Sequence, residues 1–167
     1  MKKIIQFVSF LTIAAFTFSG CMNQQKAKSN DAEPIDMANL KVEIQAMEDA
    51  FSAGEKAKDA DAVVAYYSEN AISYSRNKQP TSGRAAIRES IAKSIANDTL
   101  GEYSVYKVVD LFAEGNSALE VGSWTQFDST GTEIENGYYM SYFEKKDGKY
   151  ECVRDMNVST KPRKEGM

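Results

Sequence analysis

Apolar and polar residues alternate in the second half of the chain, in four runs at 102–112, 117–127, 135–144 and 149–157. The runs are rich in Val, Tyr, Phe, Trp and Thr, which suit a pleated, half-buried surface, so each predicts a strand. Short turn signals separate them: Glu114-Gly115-Asn116, Ser129-Thr130-Gly131 and Lys146-Asp147-Gly148. Gly adopts positive φ freely, and Asn and Asp tolerate it, so each signal can reverse the chain within a few residues. No connection is long enough for a crossover helix. The four strands are therefore expected to pair antiparallel as a meander.

The period changes before residue 100. Leu40, Ile44, Met47 and Phe51 recur in steps of four, three and four, which places them on one face of a helix over 36–58. Glu43, Glu48, Glu55 and Lys56 are expected on its other faces. Asp36 suits the N-cap or first turn, and Gly54 weakens the last turns. Asp59 is expected to cap a second, shorter helix over 60–67, with bulk from Val63, Val64, Tyr66 and Tyr67. Residues 71–74 read as a short strand and 77–80 as a loop. A third helix is expected over 84–96, with Ile87, Ile91 and Ile95 on its buried side. Three helices followed by a long meander predict an α+β domain, with the helices on one face of a curved, cone-shaped sheet. The domain is expected to span 36–160, with a polar tail at 161–167.

The first residues follow another pattern. Lys2 and Lys3 precede a mostly apolar stretch over 4–18, and Ser19-Gly20 are small. This is the pattern of a secretory signal (residues 1–20) rather than of a spanning helix. Phe18-Ser19-Gly20-Cys21 resembles a lipobox, with Phe where Leu is usual; the alternative is an ordinary signal followed by an incidental cysteine. The resemblance implies acylation of Cys21. Residues 21–35 then serve as a polar, flexible tether, and the protein is expected at the cell envelope, on the periplasmic or the cell-surface side.

Composition narrows the chemistry. The chain has 167 residues and a formal net charge of −4; without residues 1–20 it carries 18 basic against 24 acidic residues, or −6. An acidic chain without a basic cluster is a poor nucleic-acid binder, and none is expected as a partner. There is no histidine, so Ser-His and Cys-His arrangements are excluded. Neither a phosphate loop, nor a nucleotide fingerprint, nor a metal-ligand spacing is present, and no cofactor is expected.

Four motifs carry a further resemblance: KDADAVVAYYSENA at 58–71, SGRAAIR at 82–88, NSALEVG at 116–122 and DGKYECVRD at 147–155. In this order they resemble the nuclear transport factor 2-like superfamily, in its SnoaL-like and ketosteroid-isomerase-like branch, over about 36–158. The resemblance implies a conical cavity, and a homodimer through the open sheet face. It does not imply one function. Steroid-type isomerisation needs a general base and donors to an oxyanion. By spacing from Asp59, Phe51 stands where the family has its tyrosine and Ser75 where it has its base. Catalysis of that kind is therefore not expected.

Other residues could serve the cavity. Asp155 and Asn157 share a face of the last strand. Asp155 in an apolar cavity could act as an acid or base, or it could brace a turn. Glu120 and Trp124 share a face of the second long strand; Glu120 could line the cavity or be an exposed sheet charge. Tyr67, Tyr74, Trp124 and Tyr142 could ring a flat or apolar ligand, or pack in the core. Cys152 reads as a small buried hydrophobe. The expectation is a lipoprotein whose cavity binds a small apolar or aromatic molecule, or which acts as an interaction module. The alternative is an isomerase or lyase using Asp155 with tyrosine donors.

Overall fold

The computed structural model describes residues 34–162. Cys21 and the proposed signal and tether up to residue 33 lie outside the described residues. In chain order the elements are helix α1 (Met37–Ala57), helix α2 (Ala60–Val64), strand β1 (Tyr67–Tyr74), the two-residue strand β2 (Thr81–Ser82), helix α3 (Arg84–Asn97), and strands β3 (Tyr103–Glu114), β4 (Ser117–Phe127), β5 (Glu133–Lys146) and β6 (Lys149–Ser159). The expected α+β architecture is present, with three helices and one curved six-stranded sheet in the order β2-β1-β6-β5-β4-β3.

Strands β3 to β6 form the expected antiparallel meander. The reversals fall at the turn signals: Gly115 and Gly131 have φ of 57° and 83°, and Asp147 and Gly148 have 51° and 83°. The sequence pattern did not indicate that β1 runs parallel to β6, with Tyr67 opposite Cys152. This pairing shortens the second helix. The Tyr66 carbonyl accepts the Cys152 N–H at 3.0 Å, so the backbone joins the sheet where the helix was expected to continue to residue 67.

Local chemistry fixes the helices. Asp36 caps α1 by accepting from the N–H groups of Ala38 and Asn39, both at 3.0 Å. Asp59 caps α2 through Asp61 and Ala62 in the same way. Gly54 is a contact point rather than a weak spot: a Cβ there would lie 2.9 Å from Val63 Cγ2, so α1 and α2 approach closely.

Helix α1 runs beside β3, which is the edge strand of the sheet. Its polar residues satisfy the backbone groups that the edge leaves open. Gln45 donates to the Tyr106 carbonyl at 3.0 Å and accepts from Val108 N–H at 3.0 Å. Ser52 donates to the Ser104 carbonyl, and Glu55 accepts from Ser104 N–H at 3.0 Å. A covered edge cannot pair with another chain. These bonds also fix the rotation of α1, and so decide which of its residues face the sheet. Leu40, Ile44, Ile87, Ala71, Phe143 and Cys152 form the centre of the core, and Ile44, Phe143 and Cys152 are fully buried.

Candidate active site

The concave face of the sheet and the three helices enclose a cavity of about 470 Å³, within the usual range for small-molecule sites. Its walls come from distant parts of the chain. Helix α1 supplies Glu48, Phe51 and Glu55, at spacings of three and four. The α2–β1 junction supplies Tyr66 and Tyr67, and α3 supplies Ile87, Ile91 and Ile95. Strands β3 to β6 add Tyr106, Trp124, Tyr139, Ser141, Asp155 and Asn157.

Two irregularities in the sheet decide who faces inward. Tyr142 pairs with Arg154 and Phe143 with Cys152, so Val153 is an extra residue, a β-bulge. Strict alternation from Cys152 would point Asp155 outward. The bulge lets Cys152 enter the core and Asp155 face the cavity from the same strand. The second irregularity is at Gly122. The Tyr139 ring lies across it, so close that a Cβ on Gly122 would sit 2.0 Å from Tyr139 Cζ. In that pose the Tyr139 hydroxyl donates to Glu120 Oε1 at 2.6 Å.

Four carboxyls in or behind the cavity each meet one tyrosine hydroxyl. Tyr66 donates to Glu48 Oε1 at 2.5 Å, and its oxygen stands 2.9 Å from Ser141 Oγ. Tyr67 donates to Asp155 Oδ2 at 2.8 Å. Tyr139 donates to Glu120, and Tyr106 to Glu55 Oε1 at 3.1 Å. The rings pack edge to face: Phe51 has centroids 5.2 Å from Tyr66 and 5.3 Å from Tyr106, and Tyr106 lies 5.6 Å from Tyr139. Such contacts hold the hydroxyls in place.

Burial governs the titration of this cluster. It pushes Glu48 well above the usual carboxylate range, and the neighbouring Glu120 charge pushes it further. Burial raises Glu120 too, against the hydrogen bonds of Tyr139 and Glu48. Glu48 is the more strongly raised of the two, so it is the one that burial keeps protonated. Burial raises Asp155, although the nearby Ser73 and the bond from Tyr67 act against it. Glu55 is raised to about 7, again by burial. Two oxygens in the cluster, Glu120 Oε2 and Asp155 Oδ1, are buried without a hydrogen-bond donor from the protein.

The residues singled out from the sequence fall into three places. Asp155, Tyr67, Trp124 and Asn157 line the cavity. Glu120 lies behind the lining, beside Glu48, and is completely buried, so it is neither a lining residue nor an exposed sheet charge. Tyr74 and Tyr142 do not line the cavity. Tyr74 is 40% exposed, and the Tyr142 hydroxyl bonds Ser117 Oγ at 2.9 Å beside a shallow depression at the far end of the sheet. Tyr142 neighbours the inward-facing Ser141 and Phe143, so alternation turns it outward. Phe51 and Ser75 both line the cavity. Glu48, expected on a face of α1 other than the apolar stripe, turns inward. It is 2% exposed, and its spacing of eight and four from Leu40 and Ile44 already put it on the apolar stripe. Glu55 likewise stands four residues after Phe51. Among the described residues no cluster of His, Cys, Asp and Glu is arranged to hold a metal ion.

Solved structures with the same fold include three informative relatives. A cystatin-like protein of unknown function from Nostoc punctiforme aligns with a TM-score of 0.66 at 12% identity, over 73% of this chain and 92% of its own. A ketosteroid isomerase-like protein from Erwinia carotovora atroseptica aligns with 0.61 at 16% identity, over 73% and 97%. A scytalone dehydratase candidate from Novosphingobium aromaticivorans aligns with 0.64 at 15% identity, over 75% and 86%. At such identities the likeness speaks for the fold alone. No curated protein matches the sequence. The model of the SnoaL-like domain matches residues 44–152, which include the α1 carboxyls, the tyrosine junction and the meander through Cys152, and the chain belongs to the SnoaL-like domain family.

Proposed function

We propose that this protein is an acid–base enzyme of the lyase or isomerase kind, acting on a small molecule held in the cavity. The observation that carries this reading is Asp155. One of its oxygens accepts from Tyr67, and the other is buried without a donor. A site that only bound an apolar molecule would have its polar groups bonded to one another. Asp155 is the base: burial makes it a better proton acceptor than an ordinary aspartate. Glu48, which burial pushes well above the usual carboxylate range so that it keeps its proton, is the acid. In an isomerisation Asp155 takes a proton from a carbon beside a carbonyl, Glu48 supports the developing oxyanion, and Asp155 returns the proton to another carbon. In a dehydration Asp155 takes the carbon-bound proton and Glu48 protonates the departing hydroxyl. The ketosteroid-isomerase-like and scytalone dehydratase-like neighbours are consistent with either class.

The test is deuterium exchange at carbon. The full-length chain is incubated in D₂O with a panel of cyclic ketones and β-hydroxyketones, and label is read by NMR. Asp155→Asn is expected to slow exchange or elimination by about 10²–10⁴-fold. Equal rates in the two proteins, or none above buffer, would overturn the catalytic reading and leave ligand binding as the cavity's role.

Location and assembly belong to the same proposal. Acylation of Cys21 would tether the domain outside the cytoplasm. The outer sheet face, where Tyr138 pairs with Val158 and Met140 with Met156, would serve a homodimer, since all four side chains are exposed. Native mass spectrometry of the membrane-extracted chain tests both. An unmodified Cys21 or a purely monomeric mass counts against the corresponding part.

A further inference from the structure

The cavity gathers buried acids with which no described basic side chain is paired. Among the described residues its basic lining groups are Lys58, Arg76 and Lys78. Lys58 is bound to Asp98 and to the Glu102 carbonyl, and Arg76 to Glu135 at 2.8 Å. Lys58 faces Glu55. No described basic side chain forms an ion pair with Glu48, Glu120 or Asp155. Their partners are neutral hydroxyls, which bond one oxygen each and leave Glu120 Oε2 and Asp155 Oδ1 without donors. Glu120 is completely buried. A buried carboxylate in this position either takes up a proton or meets a cation. Aromatic side chains surround the same space, and aromatic faces attract cations.

We infer that the ligand of this cavity is an organic cation, a protonated amine on an apolar or aromatic body, with its ammonium against Asp155 and Glu48 and its body among Phe51, Tyr67, Tyr106 and Trp124. The inference rests on the reading of this cavity as a small-molecule site and names the class of molecule that fits it. A cavity of about 470 Å³ is far larger than an inorganic ion requires. An ammonium favours the ionised form of every carboxyl it meets, so binding draws off the protons that burial favours and tightens with rising pH. The groups that titrate around the ammonium are Glu48, Glu120 and Asp155, with Glu55 at the far end of α1; the four tyrosines and Cys152 stay protonated.

Three molecules of nearly one shape provide the probe: tryptamine, tryptophol and indole-3-propionate, cationic, neutral and anionic in turn. Binding to the full-length chain is measured by calorimetry at about pH 8 and about pH 5. Tryptamine is expected to bind at least ~10-fold tighter than tryptophol at the higher pH, as charge-assisted bonds exceed neutral ones. That advantage shrinks at the lower pH. Asp155→Asn and Glu48→Gln are each expected to lose the preference while still binding tryptophol. The Gln variant keeps an acceptor for Tyr66 and guards against a folding defect in the Asn variant. Equal or tighter binding of tryptophol or indole-3-propionate, no binding of any of the three, or an equal response to calcium chloride alone would overturn the inference. The deuterium-exchange result stands apart from all of these, so the catalytic reading can survive the loss of the charge preference.

Discussion

Glu55 offers a quantitative test of how the cavity handles buried charge. Its carboxyl accepts from Ser104 N–H and from Tyr106, and Lys58 is the cation that faces it. Burial outweighs all three and lifts the group from 4.5 to about 7. A raised acid favours the folded state at low pH, where the folded chain holds a proton that the unfolded chain releases more readily. Below about pH 4.5 both states are protonated and Glu55 costs nothing. As pH rises towards 7 the unfolded carboxyl ionises first and stability falls; above 7 both are ionised and the loss is complete. At ~1.4 kcal/mol per pH unit, the gap between 4.5 and about 7 corresponds to at most about 3 kcal/mol. Solvent access at the rim reduces this figure. Glu55→Gln retains an acceptor but does not ionise. Urea unfolding of both proteins from about pH 4 to pH 9 gives the difference in stability at each pH, and the other raised carboxyls cancel in that difference. The variant should gain on the parent by up to about 3 kcal/mol between the acidic and alkaline ends. A difference that stays flat across the range would refute the claim that desolvation dominates this site.

Two other substitutions probe the supports of the cavity. Gly122→Ala puts a methyl group into the Tyr139 ring, so the ring must leave Glu120; urea unfolding should show a loss of about 1–3 kcal/mol, and an unchanged midpoint would contradict the close approach. Asp59→Ala removes the acceptor for Asp61 and Ala62 at the start of α2 and should cost about 1 kcal/mol in thermal unfolding, without changing ligand binding.

Most of the fold was legible because its signals are local. Alternating runs and turn residues mark β3 to β6, and Asp36 and Asp59 mark two helix starts within a residue. The failures lie where distant segments decide. The second helix stops at Val64 because the Tyr66 carbonyl meets Cys152, more than eighty residues away in the chain. Nothing near Tyr66 announces that bond. The parallel pairing of β1 with β6 escaped for the same reason. The edge of β3 is covered by Gln45, Ser52 and Glu55, and no local pattern marks a polar helix residue as the partner of a distant strand edge.

The site was harder to read than the fold because its chemistry contradicts the rule by which faces are assigned. Polar residues were placed outside, and Glu48 and Glu55 were therefore removed from a helix stripe that their spacing fits. Yet a buried carboxyl is tolerable wherever a hydroxyl meets it and a proton or cation neutralises it. The sequence holds both halves of that condition, the acids Glu48, Glu120 and Asp155 and the tyrosines Tyr66, Tyr139 and Tyr67, but their pairing joins a helix, four strands and the α2–β1 junction. The bulge at Val153 completes the arrangement, because it frees Asp155 from the alternation that buries Cys152. A simple periodicity in β6 would have given either a packed core or a cavity-facing aspartate, and the extra residue gives both. The irregular positions, Val153 in the strand and Gly122 under the Tyr139 ring, are thus the ones that turn a common sheet into a site with chemistry of its own.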